Sequence, residues 1–338
     1  MFAQMCDETS MTNNAVANPS PSSVLPGGGN VGYERIADSQ MSNEGSPSPT
    51  IIVGVDGAES TLKAVEWAAH FAEKTSSRLV LLHVVSRALW SFLKAATADP
   101  EVAGAALTDD AQPLLDAAAE VAQRAAPGVV VERRIVEGRP VDTYLKESAD
   151  ARLLVIDAAE GAGSPILHGH ITGIISGATC PVLAWRSSPD TADDVEPTIV
   201  VGVDKSASAA KALDVAFATA DVLHLPLTVA HMWETDAAVG LGYAAGPTNW
   251  DLVRVLRAEQ ESKIAEFLEP LVKKYRRVDV RITLVENSPA KGLVDLSESA
   301  TLVVVGSNGR GRIANAVLGS VTQNVVHHSH APVLVVPG

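Results

Sequence analysis

Three glycines and a serine near the C-terminal end have the spacing of a site for phosphate groups. An apolar segment runs into Gly306, Gly309 follows after two intervening residues, and Gly319-Ser320 comes after nine more. Glycine leaves backbone N–H groups open to phosphate oxygens, and the start of a following helix adds partial positive charge. Arg310 adds a full positive charge. The pattern indicates an anion-binding turn, although glycine-rich turns also occur where the backbone simply needs a positive φ.

This turn differs from the familiar nucleotide-binding loops. No Gly-Lys-Ser/Thr follows it, as a Walker loop would need, and the GxGxxG spacing of dinucleotide-binding folds is absent. No GxSxG nucleophile elbow occurs, and we find no convincing acid and base pair for hydrolysis. Cys180 precedes a proline that enters an apolar strand, which predicts a buried small residue and not a nucleophile. The residues therefore indicate binding more than catalysis.

Other polar residues are assigned structural roles. The histidines within 327–330 point in different directions on a regular helix, and no cysteine or acidic cluster lies close in sequence to complete a zinc shell. No metal site is predicted there. Ser60, Ser206 and Ser208 lie at predicted helix starts, where serine commonly caps exposed N–H groups.

The elements that must position the glycine turn belong to a repeated unit. Thr50–Asp56 (TIIVGVD) recurs as Thr198–Asp204 (TIVVGVD). At the same offset, five further residues recur: Ser60, Lys63, Ala64, Ala68 and His83 correspond to Ser208, Lys211, Ala212, Ala216 and His231. A period this long indicates duplication of a whole domain, not a solenoid.

Each copy alternates short apolar runs with longer amphipathic or alanine-rich segments, a pattern typical of a doubly wound α/β domain with a parallel sheet. In the second copy the predicted strands are 199–203, 227–232, 278–285, 301–305 and 333–336. The predicted helices there are 207–222, 249–275, 289–297 and 313–329. The copies are assigned to residues 50–186 and 198–338, joined by a polar, acidic linker at 187–197. Residues 1–49, rich in Ser, Asn, Pro and Gly, are predicted to be a disordered tail.

Composition narrows the class of protein. The chain has 338 residues, 46% of them hydrophobic and 20% charged, which is enough for about two domains with sizeable cores. It has 26 Lys and Arg against 40 Asp and Glu, so its net charge of −14 argues against nucleic acid or an anionic membrane as partner. The sequence has only two cysteines, which argues against a disulfide framework, and no apolar segment is long enough to span a bilayer. Both observations favour a cytoplasmic protein.

Taken together, these motifs resemble the universal stress protein family. Gly306-x-x-Gly309, then nine residues and Gly319-Ser320, is similar to the ATP-binding signature of that family, and Gly202-Val203-Asp204 is similar to its first-strand motif. The resemblance covers 50–186 and 197–338. It implies two tandem five-stranded parallel sheets of the adenine nucleotide alpha hydrolase-like type, each with strand order 3-2-1-4-5. In this family fifth strands pair across dimers, which implies pairing of the two halves here and leaves a further homodimer open.

The resemblance also implies an ATP site in the second copy, with Mg²⁺ on the phosphates. Val203 and Asp204 would contact the adenosine end, and Met232 would lie near the adenine and ribose. The residues implied to surround the phosphates are Gly306, Gly309, Gly319, Ser320 and Val321, beside Arg310.

The first copy departs from this motif. Asp157 and Glu160 take the places of Gly306 and Gly309, and carboxylates there would repel a polyphosphate. We therefore expect ATP in the second copy only, although Asp56 keeps the first-strand motif. Nucleotide occupancy would tune a stress or growth-arrest response. A nucleotide-independent interaction module and a slow ATP hydrolase remain as alternatives, and enzymatic activity is at most weak.

Overall fold

Strands and helices alternate along the described part of the chain. The computed structural model describes residues 48–87, 91–92, 95, 100–158, 170–187, 196–204, 206–233, 250–309 and 318–338. Its strands are β1 (Thr50–Gly54), β2 (Arg78–Ser86), β3 (Val131–Gly138), β4 (Leu153–Asp157), β5 (Val182–Trp185), β6 (Ile199–Gly202), β7 (Leu227–Trp233), β8 (Val280–Glu286), β9 (Leu302–Gly306) and β10 (Val333–Val336). Its helices are α1 (Glu59–Lys74), α2 (Pro100–Ala125), α3 (Pro140–Glu147), α4 (Ile171–Gly177), α5 (Ala207–Leu223), α6 (Trp250–Lys274), α7 (Pro289–Ser297) and α8 (Ser320–His328).

The described strands form one ten-stranded sheet in the order β3-β2-β1-β4-β5-β10-β9-β6-β7-β8. Read within each half, this is the order 3-2-1-4-5, which confirms the predicted fold class. Neighbouring strands within each half are parallel. β5 and β10 meet antiparallel at the centre, where Val182 lies opposite Val335 and Leu183 opposite Leu334. The two halves therefore share a continuous sheet.

The strand residues divide between two apolar cores, one on each face of the sheet. In β1, Ile51 and Val53 belong to the first core and Ile52 to the second, because successive side chains of a strand point to opposite faces. Helices α1, α2, α5 and α6 contribute to the first core and α3, α4, α7 and α8 to the second. With both faces covered, runs such as Leu302–Val305 are buried without polar alternation.

Most predicted elements of the second half agree with the structure to within one or two residues. The third strand, predicted at 278–285, is β8 and begins at Val280, because the N–H of Val278 closes a turn onto the carbonyl of Tyr275 at 3.1 Å. The last helix, predicted at 313–329, is described from Ser320. Residues 310–317, nearly all of the predicted tail and most of the linker lie outside the described residues.

Candidate functional site

The glycine motif and the first-strand motif of the second half meet at one edge of the sheet. β6 pairs with β9 in parallel, with Val201 opposite Val304, so the carboxyl ends of both strands point the same way. β6 also pairs with β7 on its other side, so the chain winds away from β6 in both directions. Ligands of open α/β sheets bind at such a switch point.

Asp204, just after β6, stands at the entrance to this switch point. Its Oδ1 accepts the N–H of Ser206 at 3.0 Å, and Ser206 in turn caps α5 by accepting the N–H of Ala209 at 3.1 Å. A Cβ placed on Gly309 would lie 3.1 Å from the other carboxylate oxygen, so the glycine turn passes close to Asp204 at Gly309. Asp204 thus lies between the start of α5 and the glycine turn.

Gly306 allows β9 to approach the first turn of α5 very closely. A Cβ at this position would lie 2.2 Å from Oγ of Ser208 and 2.9 Å from its carbonyl carbon and oxygen. Oγ of Ser208 accepts the N–H of Asn308 at 3.4 Å, and the carbonyl of Gly306 accepts the hydroxyl of Thr322 at 2.7 Å. Ser208 and Thr322 therefore tie the glycine turn to α5 and α8.

Gly319 joins the same turn to the start of α8. Its N–H donates to the carbonyl of Ser307 at 2.9 Å, and a Cβ on it would lie 3.3 Å from that oxygen. Gly319 is the N-cap residue, and no side chain in the described part of the chain caps α8. A helix leaves its first N–H groups without partners inside the helix, and these groups attract anions. Ser320, the first residue of α8, is exposed beside them.

The other predicted site residues occupy the surrounding positions. Met232, near the end of β7, lies against α7, where a Cβ on Gly292 would be 3.0 Å from its Cγ. Gly202 faces α7 as well, with Leu293 2.9 Å from the position of a Cβ. Val203 packs against the first core and Val321 against the second. Arg310 lies outside the described residues.

A histidine links the ends of β6 and β7 beneath this site. Nδ1 of His231 lies 2.8 Å from the carbonyl of Val203, and Nδ1 of His83 makes the same contact with Val55 at 2.7 Å in the first half. The repeat of His83 and His231 at the same offset was the sequence signal for this shared link. It holds the chain just after β6, next to Asp204, beside β7, the strand that carries Met232.

The corresponding place in the first half is filled by the protein's own carboxylate. Asp157 is 3% exposed and accepts a hydrogen bond from the hydroxyl of Ser60, and the hydroxyl oxygen of Thr61 lies 3.3 Å from its carboxylate. The Thr61 hydroxyl also lies 2.6 Å from Oδ1 of Asp56. A carboxylate thus stands at the strand end where the second half has Gly306, and it is hydrogen-bonded to Ser60, the counterpart of Ser208.

Leu114 and Tyr144 also fill space beside the end of β1 in the first half. Gly57 has φ +88°, and Leu114 of α2 lies 3.0 Å from where its Cβ would be. Tyr144 of α3, the counterpart of Leu293, is 1% exposed and reaches towards Gly54. Burial raises the pKa of the Tyr144 phenol above its usual range, and the nearby Asp56 carboxylate raises it further.

The structure changes the roles expected for the three serines. Ser206 caps its helix as predicted. The prediction is wrong for Ser60, which donates to Asp157 at the end of β4, and for Ser208, whose Oγ accepts the N–H of Asn308 in the glycine turn. Each is the second residue of its helix, from which the hydroxyl can reach the end of a neighbouring strand.

Comparison with known proteins gives the family. A model of the universal stress protein family matches residues 48–186 and again 197–337. The chain belongs to the universal stress protein family. It is 31% identical over 307 residues to universal stress protein Rv2623 of Mycobacterium tuberculosis, which covers 87% of this chain and 98% of that protein. It is 30% identical over 296 residues to Rv2005c of the same organism, covering 84% of this chain and 96% of that one.

A solved structure shows the same fold. A universal stress protein from Archaeoglobus fulgidus superposes with a TM-score of 0.59 at 20% identity, covering 85% of this chain and 96% of that chain. As for membranes, no helix among the described residues of this universal stress protein is long and apolar enough to cross one.

Proposed function

We propose that the second half binds ATP, one molecule per chain, and that its occupancy tunes a stress or growth-arrest response. The observation that carries the proposal is that Gly306, at the end of β9, approaches Ser208 closely and that no side chain among the described residues caps the start of α8. The motif's similarity to the ATP-binding signature of the family supports it. A cytoplasmic location is part of the proposal, because ATP is a cytoplasmic metabolite.

The residues present fit a nucleotide polyphosphate. Gly309 and Gly319 expose backbone next to the first N–H groups of α8, which are donors for phosphate oxygens. Asp204 offers a carboxylate that would accept hydrogen bonds from ribose hydroxyls, and Met232 offers an apolar surface for the base. Mg²⁺ would bind to the phosphates themselves, because these hard oxygen ligands suit it.

Binding gives a physical route to regulation. A ligand that binds only one conformation stabilises that conformation, by about 2.7 kcal/mol at a hundredfold excess over Kd. In this protein the conformation that binds would be the one in which the glycine turn contacts both α5 and α8. A partner that reads that arrangement would respond to ATP.

The test begins with the purified full-length chain. The protein is denatured, released nucleotide is quantified by mass spectrometry, and ATP is titrated by calorimetry into wild type, Gly319→Glu and Gly173→Glu. Gly173 lies in α4, the counterpart of α8, with 3.7 Å between a Cβ and Val141, so the control places the same charge where it has room. We expect one ATP per chain in wild type and control, and none in Gly319→Glu, whose carboxylate would repel phosphate.

The other outcomes separate the alternatives. Two ATP per chain would contradict the assignment of the first half as closed by Asp157. No nucleotide, no titration heat and no protection from melting would favour the interaction module. Turnover that Asp204→Ala abolishes while binding persists would favour a hydrolase. Sedimentation of the same samples with and without ATP tests whether two chains form a homodimer.

A further inference from the structure

One arginine of the first half reaches the helix that carries the proposed phosphate site of the second half. Arg186 directly follows β5, the strand that pairs antiparallel with β10 at the junction of the halves. Its Nη2 donates to the carbonyl of Val326 at 2.8 Å. Val326 belongs to α8, so the contact crosses from one half to the other.

The carbonyl that Arg186 contacts is one that the helix cannot satisfy by itself. The last four carbonyls of a helix have no partner further along it. The N–H of Ser329 donates to the carbonyl of Val325 at 2.9 Å, and Arg186 donates to the carbonyl of Val326. Val326 is only 1% exposed, so water has little access to its carbonyl, and Arg186 supplies the hydrogen-bond donor that this buried group needs. A cation at this end also complements the helix dipole.

The opposite end of α8 is fastened to the glycine turn. Gly319 donates to Ser307 at 2.9 Å, and the hydroxyl of Thr322 donates to Gly306 at 2.7 Å. The helix has nine residues, so its two ends are only about 13 Å apart. Besides the packing of Val325 and Val326 in the second core, α8 is therefore held by hydrogen bonds at both ends, and loss of those at one end would let its first N–H groups shift.

We propose that Arg186 is a positioning residue for the phosphate end of the nucleotide site. It acts through α8, and it makes the second half's site depend on the first half. The inference rests on the proposed function. It also assigns a role to the first half, whose own strand ends are filled by Asp157 and Tyr144: it holds a helix of the other half in place.

The inference separates the two ends of the ligand. Asp204 and Met232, proposed for the adenosine end, lie on the β6 and β7 side of the site, whereas the hydrogen bond from Arg186 to Val326 is to α8. Loss of Arg186 should therefore weaken binding of the phosphates and spare the adenosine moiety. A general loosening of the fold would weaken both.

The experiment measures ATP and adenosine affinities of the full chain by displacement of a fluorescent ATP analogue. The variants are Arg186→Ala, Arg186→Lys and, as control, Arg277→Ala, which removes an exposed arginine paired with Asp221 at 2.9 Å. For Arg186→Ala we expect the Kd for ATP to rise about threefold to tenfold, less than the full effect of a lost charged hydrogen bond because Arg186 acts on the site through α8. The Kd for adenosine should stay within about twofold. Arg186→Lys keeps a cationic donor, so its Kd for ATP should lie between those of wild type and Arg186→Ala. Arg277→Ala should have the wild-type Kd for both ATP and adenosine.

Two results would overturn the inference while leaving ATP binding intact: an unchanged ATP affinity in Arg186→Ala, or equal losses for ATP and adenosine. The second would mean that Arg186 only supports the fold. A wild-type chain that binds no ATP would overturn the proposed function itself, and this inference with it.

Discussion

Replacing Gly306 by alanine should destabilise the second half strongly, because the new methyl group would enter space held by α5. Its Cβ would lie 2.2 Å from Oγ of Ser208 and 2.9 Å from the carbonyl carbon and oxygen of the same residue. Rotating the Ser208 side chain relieves only the first contact, and it gives up the hydrogen bond from the N–H of Asn308. Overpacking costs about 1–3 kcal/mol and the lost hydrogen bond about 1 kcal/mol. The expected total is about 2–4 kcal/mol.

Thermal unfolding followed by circular dichroism measures this loss. At about 2–4 °C per kcal/mol for a domain of this size, the melting temperature of Gly306→Ala should fall by several degrees. The matched control is Gly292→Ala in α7, where alanine favours the helix. Its Cβ would meet the flexible Met232 side chain at 3.0 Å and the Cβ of Asn287 at an ordinary contact distance of 3.5 Å, and no backbone atom is among these neighbours. We expect the control to melt at or above the wild-type temperature.

A second substitution tests the cause. Ser208→Ala removes the closest atom, so the double variant Gly306→Ala/Ser208→Ala should lose less stability than the sum of the two single variants. The backbone contacts at 2.9 Å remain, and recovery should be partial. A Gly306→Ala protein that melts within about 1 °C of wild type would refute the reasoning, because β9 and α5 would then separate at no cost.

Two further predictions concern the first half. Asp157→Ala removes the acceptor of the partly buried Ser60 hydroxyl, while the Thr61 hydroxyl keeps Oδ1 of Asp56 at 2.6 Å, so urea unfolding should show a loss of about 1 kcal/mol. Asp157→Asn keeps one acceptor oxygen and should lose less, and equal losses would contradict this account. Burial raises the pKa of Tyr144. The stability that its neutral phenol gives the fold is therefore complete below the unfolded-state pKa near 10, and it is lost as the pH rises through the folded-state pKa. Urea unfolding between about pH 9 and 11 should therefore show a shallower loss of stability in Tyr144→Phe than in wild type, and parallel curves would contradict the prediction.

The periodicity of the sequence was sufficient for the fold and most strand positions. Segments such as 302–305 lack polar residues because helices cover both faces of the sheet, and that pattern is visible in one dimension. The start of β8 was predicted two residues early, because an apolar valine at 278 continues the pattern although its N–H is engaged in a turn. Apolar character does not reveal where backbone hydrogen bonds change partner.

The serines illustrate what local patterns miss. Ser60 and Ser208 have the residue type and position of helix caps, yet both face the end of a strand about one hundred residues further along the chain. A helix-capping pattern reports only on neighbours within about one turn, so it does not show which distant strand end a serine will contact. Arg186 carried no sequence signal at all, because its partner is a backbone carbonyl.

The sequence by itself determined the duplication, the α/β class, the family and the glycine motif, since each depends on residue type and spacing along the chain. The tertiary structure alone decided which groups meet. It brought Gly306 against Ser208, filled the first half's strand ends with Asp157 and Tyr144, and placed Arg186 on Val326. These contacts depend on the packing distance between a strand and a helix and on the side-chain rotamers that fit there, which spacing along the chain does not specify.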